Sequence, residues 1–238
     1  MKIALVGYGK MGHAIEKIAV ERGHQIVVAI NIDNLQDFTQ ENLQQADVAI
    51  EFTSPHTAVE NIEKCIGFGV PVVCGSTGWL AKLPQIETAV KTADGAFLYA
   101  SNFSLGVNIF FEVNKLLAKL LAPHKTYDVQ MTEVHHTEKK DAPSGTAITL
   151  AEQIMAVTPQ KNRWVIEPTA EPAELYINCQ RIDPAPGTHS ISWTSEVDDI
   201  EIKHTAHNRT GFALGAVLAA EFLAGKKGIF GMKDVLGI

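Results

Sequence analysis

Five short apolar runs, at 2–6, 25–30, 48–52, 70–74 and 96–99, punctuate the first hundred residues, with helix-length segments between several of them. Strands that alternate with helices in this way build βαβ units, which close into a parallel sheet covered by helices. Between Met11 and Arg22, Ile15, Ile18 and Ala19 recur at helical spacing. Ser54-Pro55 predicts an N-cap and first-turn proline for a helix over 56–66, which Gly67 and Gly69 end, and Pro84 opens another over 85–92. The texture changes after Asn102. A long amphipathic helix carrying Val107, Phe110, Phe111, Asn114, Leu117 and Leu121 leads to strand-like alternation at 128–136, 175–180, 189–195 and 200–205. Residues 212–223 are helical again, and 233–236 return to the first lobe. The expected fold is α/β, a Rossmann-type doubly wound parallel sheet with a second α+β lobe built on a mixed or antiparallel sheet. A length of 238 residues suits two modest lobes. The first comprises 1–104 plus 211–238 and the second 105–210, with a hinged closure expected at the crossings 102–106 and 209–211.

A hydrophobic fraction of 46% and a charged fraction of 20% exclude a disordered chain. The formal net charge of −7 argues against a nucleic-acid partner, since such surfaces concentrate Lys and Arg to neutralise phosphates. An anionic ligand must therefore be met by local groups. Cys65, Cys74 and Cys179 are odd in number and lack metal-ligand spacing, so they read as buried thiols of a reducing compartment. No apolar run approaches a membrane span and no signal region precedes the first strand, so the expectation is a cytoplasmic protein with no membrane partner.

Gly7-Tyr8-Gly9-Lys10-Met11-Gly12 follows the first strand and opens the first helix. In a G-x-G-x-x-G turn the first glycine permits the tight bend, the second admits a pyrophosphate and the third lets helix and strand pack closely. The helix N-terminus then offers amide donors to the phosphates. The expected cofactor is NADH and/or NADPH. The residue at the ribose is Asn31 or Asp33, at the end of the second strand; Asn31 in place of a carboxylate lessens repulsion of a 2′-phosphate, which Lys10 would reach, so preference stays open. Ligands of such sheets bind beyond the carboxyl ends of the strands, where Gly75-Ser76-Thr77-Gly78 and Ala100-Ser101-Asn102-Phe103-Ser104 fall. Gly75, Ser76, Thr77, Ala100, Ser101, Asn102 and Phe103 therefore join the expected cofactor set.

Segment 133–146, Glu-Val-His-His-Thr-Glu-Lys-Lys-Asp-Ala-Pro-Ser-Gly-Thr, gathers acid-base and anion-binding groups. Adjacent His135 and His136 at a strand end point to opposite sides, so they address different parts of one ligand and are poor partners for a shared metal; no metal is expected. Ser144-Gly145-Thr146 reads as the cap and first turn of a helix, an anion site. Lys139 adds a charge and a proton, and His135 has a side chain that ordinarily titrates near neutrality.

With Glu51-Phe52-Thr53-Ser54-Pro55, Gly106-Val107-Asn108 and Lys203-His204-Thr205-Ala206-His207-Asn208-Arg209, these motifs resemble those of the dihydrodipicolinate reductase family, also called 4-hydroxy-tetrahydrodipicolinate reductases, of the diaminopimelate route to lysine. The resemblance spans nearly the whole chain. It departs at Glu51, where Asp is usual, at Ser101, where Pro is common, and at Asn31, where an acidic residue is frequent. It implies hydride transfer from NAD(P)H to a small cyclic dicarboxylate, with His135 and Lys139 as proton donors and His136, Ser144, Gly145 and Thr146 binding substrate. It also implies a homotetramer formed through the second-lobe sheet, where Ile191 and Trp193 either present that surface or fill the core. The competing readings are another amino-acid-type dehydrogenase, such as an aspartate dehydrogenase, and a non-enzymatic nucleotide-sensing protein.

Overall fold

The structure, a computed structural model, describes residues 1–208 and 210–238. Arg209, which closes the 203–209 motif and begins one expected hinge, lies outside the described residues. The chain divides into two compact units, Met1–Leu105 with Thr210–Ile238, and Gly106–Arg209.

The first unit opens with β1 (Lys2–Val6), α1 (Lys10–Glu21) and β2 (Gln25–Ile30), then a 3-10 turn (Ile32–Asp37) and the short α2 (Gln40–Leu43). It continues through β3 (Val48–Glu51), α3 (Ala58–Gly67), β4 (Val72–Cys74), α4 (Leu83–Thr92) and β5 (Ala96–Tyr99). The second unit contains α5 (Leu105–Leu121), which starts at the last residue of the first, then β6 (Asp128–His135), α6 (Gly145–Met155), β7 (Arg163–Val165), β8 (Glu174–Arg181), β9 (Gly187–Thr194) and β10 (Asp199–Ala206). α7 (Thr210–Leu223), β11 (Gly228–Phe230) and α8 (Met232–Leu236) return to the first unit.

The first sheet is parallel throughout, in the order β11-β5-β4-β3-β1-β2. Chain order reverses between β1 and β3, so the turns after these two strands flank the switch point where sheets of this kind hold ligands. The inner strands β1, β3, β4 and β5 are buried on both faces. Ile3 and Leu5 pack with Ile15 and Ala19 of α1 and Ala213, Ala216 and Ala220 of α7, while Ala4 and Val6 face Ile62, Cys65 and Ile66 of α3 and Ile86 and Val90 of α4. Such double burial is why these strands read as continuous apolar runs.

α3 begins two residues later than 56–66 implied. The Ser54 carbonyl accepts from the amides of Thr57 at 3.2 Å and Ala58 at 3.0 Å, so Ser54-Pro55 forms a turn ahead of the helix. β7 and β11, three residues each and at sheet edges, are too short for periodicity to reveal them.

The second sheet, ordered β10-β9-β6-β8-β7, is mixed: β6 pairs antiparallel with β9 and parallel with β8. One face packs Val129, Met131, Ile177, Ile191 and Trp193 against Phe110 and Ala118 of α5 and Leu150 and Ile154 of α6. Ile191 and Trp193 are therefore core. The alternate positions, Thr132, Ser190 and Ser192, are half-buried and polar. Cys65 and Cys74 are buried, whereas Cys179 is only half-buried. Among the described residues no helix is long and apolar enough to cross a membrane.

Candidate active site

The β1–α1 turn has the dimensions that its three glycines imply. Gly7 has φ +100°, and a Cβ there would meet the Phe52 carbonyl oxygen at 2.0 Å; a Cβ on Gly12 would meet the Gly7 carbonyl oxygen at 2.5 Å. A Cβ on Gly9 would meet nothing within 4 Å. The first and third glycines thus serve packing, and the second leaves open space over the α1 N-terminus. Tyr8 hydrogen-bonds Glu16 and packs its ring against that of His13, with centroids 4.1 Å apart and planes tilted by 56°, while Lys10 is exposed and Met11 half-buried.

Asn31 is exposed directly after β2; its amide donates to Asn34 Oδ1 at 2.6 Å, and Asn34 Nδ2 donates to the Ala29 carbonyl at 3.0 Å. Asp33 is exposed in the following turn. After β4, the half-buried Gly75 and exposed Thr77 flank a buried Ser76. The Ser76 hydroxyl accepts from the Thr53 amide at 2.8 Å and donates to Glu51 Oε1 at 3.1 Å. Glu51, fully buried, also receives Cys74 Sγ at 3.1 Å and the Thr53 hydroxyl. Burial and the Glu51 charge push the Cys74 thiol up, so it stays protonated and donates. Ser76 thus fastens neighbouring strand ends, and a ligand would meet the backbone there. After β5, Ala100 and Phe103 are buried, Ser101 is exposed, and Asn102 Oδ1 accepts from the Ser104 amide at 2.9 Å. Every expected cofactor residue therefore lies beyond the carboxyl end of a parallel strand.

In the second unit, strand alternation places Glu133 and His135 on the buried face of β6. Glu133, with no exposed surface, is the hub. Its Oε1 accepts from Arg181 Nη2 and its Oε2 from the Ser144 amide, both at 3.0 Å. His135 Nδ1 and His189 Nε2 approach Oε2 to 3.6 and 3.7 Å. Burial works against ionisation of Glu133, but His189, Ser144 and Arg181 outweigh it and hold the carboxyl well below the usual carboxylate range. Burial lowers His135 instead, to about 4; the Glu133 charge opposes this, while His189, Lys139 and Arg181 reinforce it. His135 is neutral at neutral pH, contrary to the sequence-based expectation of a side chain poised near it.

Ser144 caps α6, accepting from the Ala147 amide at 3.2 Å, and its hydroxyl lies 3.1 Å from His189 Nε2. The expected anion turn is thus divided: Ser144 is engaged in the hub, and Gly145 and Thr146 form the first turn, whose amides precede the helix's own ladder. Lys139 Nζ donates to both Asp141 oxygens at 2.8 Å. Arg181 also donates to the carbonyls of Lys139 at 3.2 Å and Asp141 at 2.5 Å, pinning this loop to β8. His136 faces a cavity of about 360 Å³ that Thr137, Glu138, Asp183 and Asn208 also line, a volume suited to a small molecule. A larger cavity, about 830 Å³, lies at the opposite end of β6 around Tyr127 and Glu174 and contains none of these groups.

Arg181 and His189 lie outside the motifs of the sequence. The available signal was a histidine in register with Ile191 and Trp193 on a buried strand face, where an unpaired polar group would be costly. Glu133, His135 and His189 also bring three potential metal ligands within 4.8 Å. Arg181 already balances the carboxylate there, and a divalent ion would add uncompensated positive charge beside a guanidinium.

Comparison with known proteins agrees over both units. Residues 1–103 match the family described as dihydrodipicolinate reductase, N-terminus, and 106–236 its C-terminus. A 4-hydroxy-tetrahydrodipicolinate reductase of Christiangramia forsetii is 48% identical across 99% of this chain and 98% of its own. One from Methanosarcina mazei is 36% identical across 94% and 86%. Among solved structures, dipicolinate-bound dihydrodipicolinate reductase from Paenisporosarcina sp. TG-14 superposes with a TM-score of 0.78 at 23% identity, covering 98% of both chains. With both halves matched in order and close relatives aligned end to end, the chain belongs to the dihydrodipicolinate reductase family.

Proposed function

We propose that the first unit binds NADH or NADPH across the β1–α1 turn and that the second holds 4-hydroxy-tetrahydrodipicolinate at the carboxyl end of β6, where His135 and Lys139 supply the proton of its reduction. Reductase activity follows from family membership; the roles of individual residues are inferred. The observation that carries them is the convergence of the buried Glu133, His135 and His189 with half-buried Arg181, Lys139 and the α6 N-terminus in one unit.

The reaction consumes one hydride and one proton and releases one water. Loss of the ring hydroxyl as water leaves a conjugated imine, and the nicotinamide supplies the hydride that reduces it. Electron density built on the ring must then be quenched by a nearby acid. Lys139 Nζ, held by Asp141, exchanges that partner for a substrate carboxylate, so that its proton and that of His135 both come within reach of the ring, which takes one. Gly145 and Thr146 present amides to a carboxylate, and His136 borders the cavity that receives the ring. Asn31, uncharged at the end of β2, repels neither a ribose nor a 2′-phosphate, so both cofactors serve. Four copies assemble through the uncovered polar face of the second sheet, in the cytoplasm.

Supplying pyruvate, aspartate semialdehyde and the condensing synthase together tests reaction and cofactor at once: absorbance of NADH and of NADPH should each decay. His135→Gln and Lys139→Ala each lower turnover by about 10²-fold or more, with nicotinamide binding retained. Unchanged turnover in either variant removes that residue from the mechanism.

A further inference from the structure

A carboxylate can only accept hydrogen bonds, so whatever hydrogen lies between Glu133 and a neighbouring ring belongs to the ring. His135 Nδ1 is buried without a hydrogen-bond partner, and Glu133 Oε2 is 3.6 Å away. With the hydrogen on Nδ1, the positive end of the N–H dipole faces the anion. With the hydrogen on Nε2, a nitrogen lone pair would face a buried negative oxygen, an arrangement that low dielectric makes costly. The carboxylate therefore selects the Nδ1–H tautomer and leaves the lone pair on Nε2. That second nitrogen lies beside Gly187, which has φ +156° and where a Cβ would come within 3.2 Å of it. Because Nδ1 is buried, a ligand can meet the ring only along this other edge.

The groups that face His135 come from every neighbouring element: Glu133 on its own strand, Arg181 at the end of β8, His189 on β9 with His204 behind it on β10, and Lys139, with Asp141, from the following loop. In the ligand-free protein, burial and the cations prevail over Glu133, and the ring is neutral. A dianionic ligand reverses that balance. It neutralises Lys139 and adds negative charge near the ring, and each change favours the imidazolium.

We propose that Glu133 is a positioning residue for His135: it fixes the proton on Nδ1 and makes Nε2 the basic atom, so that arrival of a dicarboxylate draws a proton from solvent onto Nε2. The imidazolium so formed lies between Glu133 and the ligand. In turnover the Nε2–H proton passes to the ring once the hydride has added, restoring the neutral Nδ1–H tautomer. One solvent proton is consumed per cycle, which matches the stoichiometry of the reduction. The proposal rests on the substrate reading above.

Two measurements on the full chain test it. Calorimetric titration of pyridine-2,6-dicarboxylate, the dipicolinate bound in the Paenisporosarcina structure, near neutral pH in buffers of different ionisation enthalpy counts the protons taken up on binding. About one is expected for the native chain, and Glu133→Gln should lose at least about half of that uptake while still binding. Full uptake in the variant, or binding without uptake in the native chain, overturns the proposal; a purely structural glutamate would change affinity and not proton count. Nitrogen-15 chemical shifts of the His135 ring in the native chain read the tautomer directly and need no variant to fold. A hydrogen on Nε2 would also overturn the proposal. Should the dicarboxylate fail to bind, the substrate reading falls, and the tautomer still decides the role of Glu133.

Discussion

Glu133 and His135 stand two positions apart on the buried face of one strand, and acid acts on both in the same direction. His135 titrates at about 4 in the folded protein against 6.5 when unperturbed. Between those values the unfolded chain binds more protons than the folded one, so stability declines as pH falls through the window. The loss is at most roughly 3 kcal/mol. Glu133, held below the usual carboxylate range, contributes stability that is present above its ordinary value of 4.5 and disappears as pH drops below it. Urea unfolding from neutral pH downward should thus show a decline in two stages. In His135→Gln, which has no ring to protonate, the upper stage should be much reduced while the lower one persists. A decline in the variant identical to that of the native chain would mean that His135 is not the group being protonated.

The β1–α1 turn is the element whose backbone constraints show most directly in its local sequence. Gly7 and Gly12 lie under backbone oxygens at 2.0 and 2.5 Å from a would-be Cβ, whereas Gly9 has nothing within 4 Å. The same substitution should therefore have opposite consequences at neighbouring positions. Gly7→Ala destabilises the fold by at least about 2 kcal/mol, since the new methyl overlaps the Phe52 carbonyl in a left-handed backbone. Gly9→Ala leaves the thermal midpoint nearly unchanged and, on the dinucleotide site proposed above, weakens nicotinamide dinucleotide binding by about tenfold or more, because the methyl enters the open space which that proposal gives to the pyrophosphate. Thermal melts and fluorescence titration with NADH separate the two, and a Gly9→Ala protein with native affinity would remove the turn from the cofactor site. The glycine spacing was legible because it lies within six consecutive residues, whereas the Phe52 carbonyl that crowds Gly7 comes from the neighbouring strand end. The Glu133 hub was legible only in part. His135, Lys139 and Ser144 share one loop and strand end, but Arg181 and His189 reach Glu133 through pairing of β6 with β8 and β9, opposite Cys179 and His189. Register between strands tens of residues apart leaves no periodic trace, so Arg181 and His189, two of the groups that set the charge state of His135, emerged only with the sheet.

At the scale of the whole molecule, the two faces of the second sheet differ in kind. One carries Val129, Met131, Ile177, Ile191 and Trp193 beneath α5 and α6. The other presents Gln130, Thr132, Asn178, Ser190, Ser192 and Glu201 around a shallow cavity of about 290 Å³. A polar sheet face, with side-chain donors and acceptors in two-residue alternation, can pair with a copy of itself, because a twofold axis sets the same set of donors and acceptors on two copies against one another. Multi-angle light scattering should accordingly give a mass near four times the 25.9 kDa of one chain. Joint replacement Ser190→Arg and Ser192→Arg sets like charges against one another across that axis and should lower the mass, while the adjacent core residues, Ile191 and Trp193, keep the protomer folded. A native mass of one chain would refute assembly altogether. A tetramer unaffected by the paired arginines would move the interface elsewhere, since two guanidinium groups per protomer could not be buried against their own copies without a several-fold weakening of association.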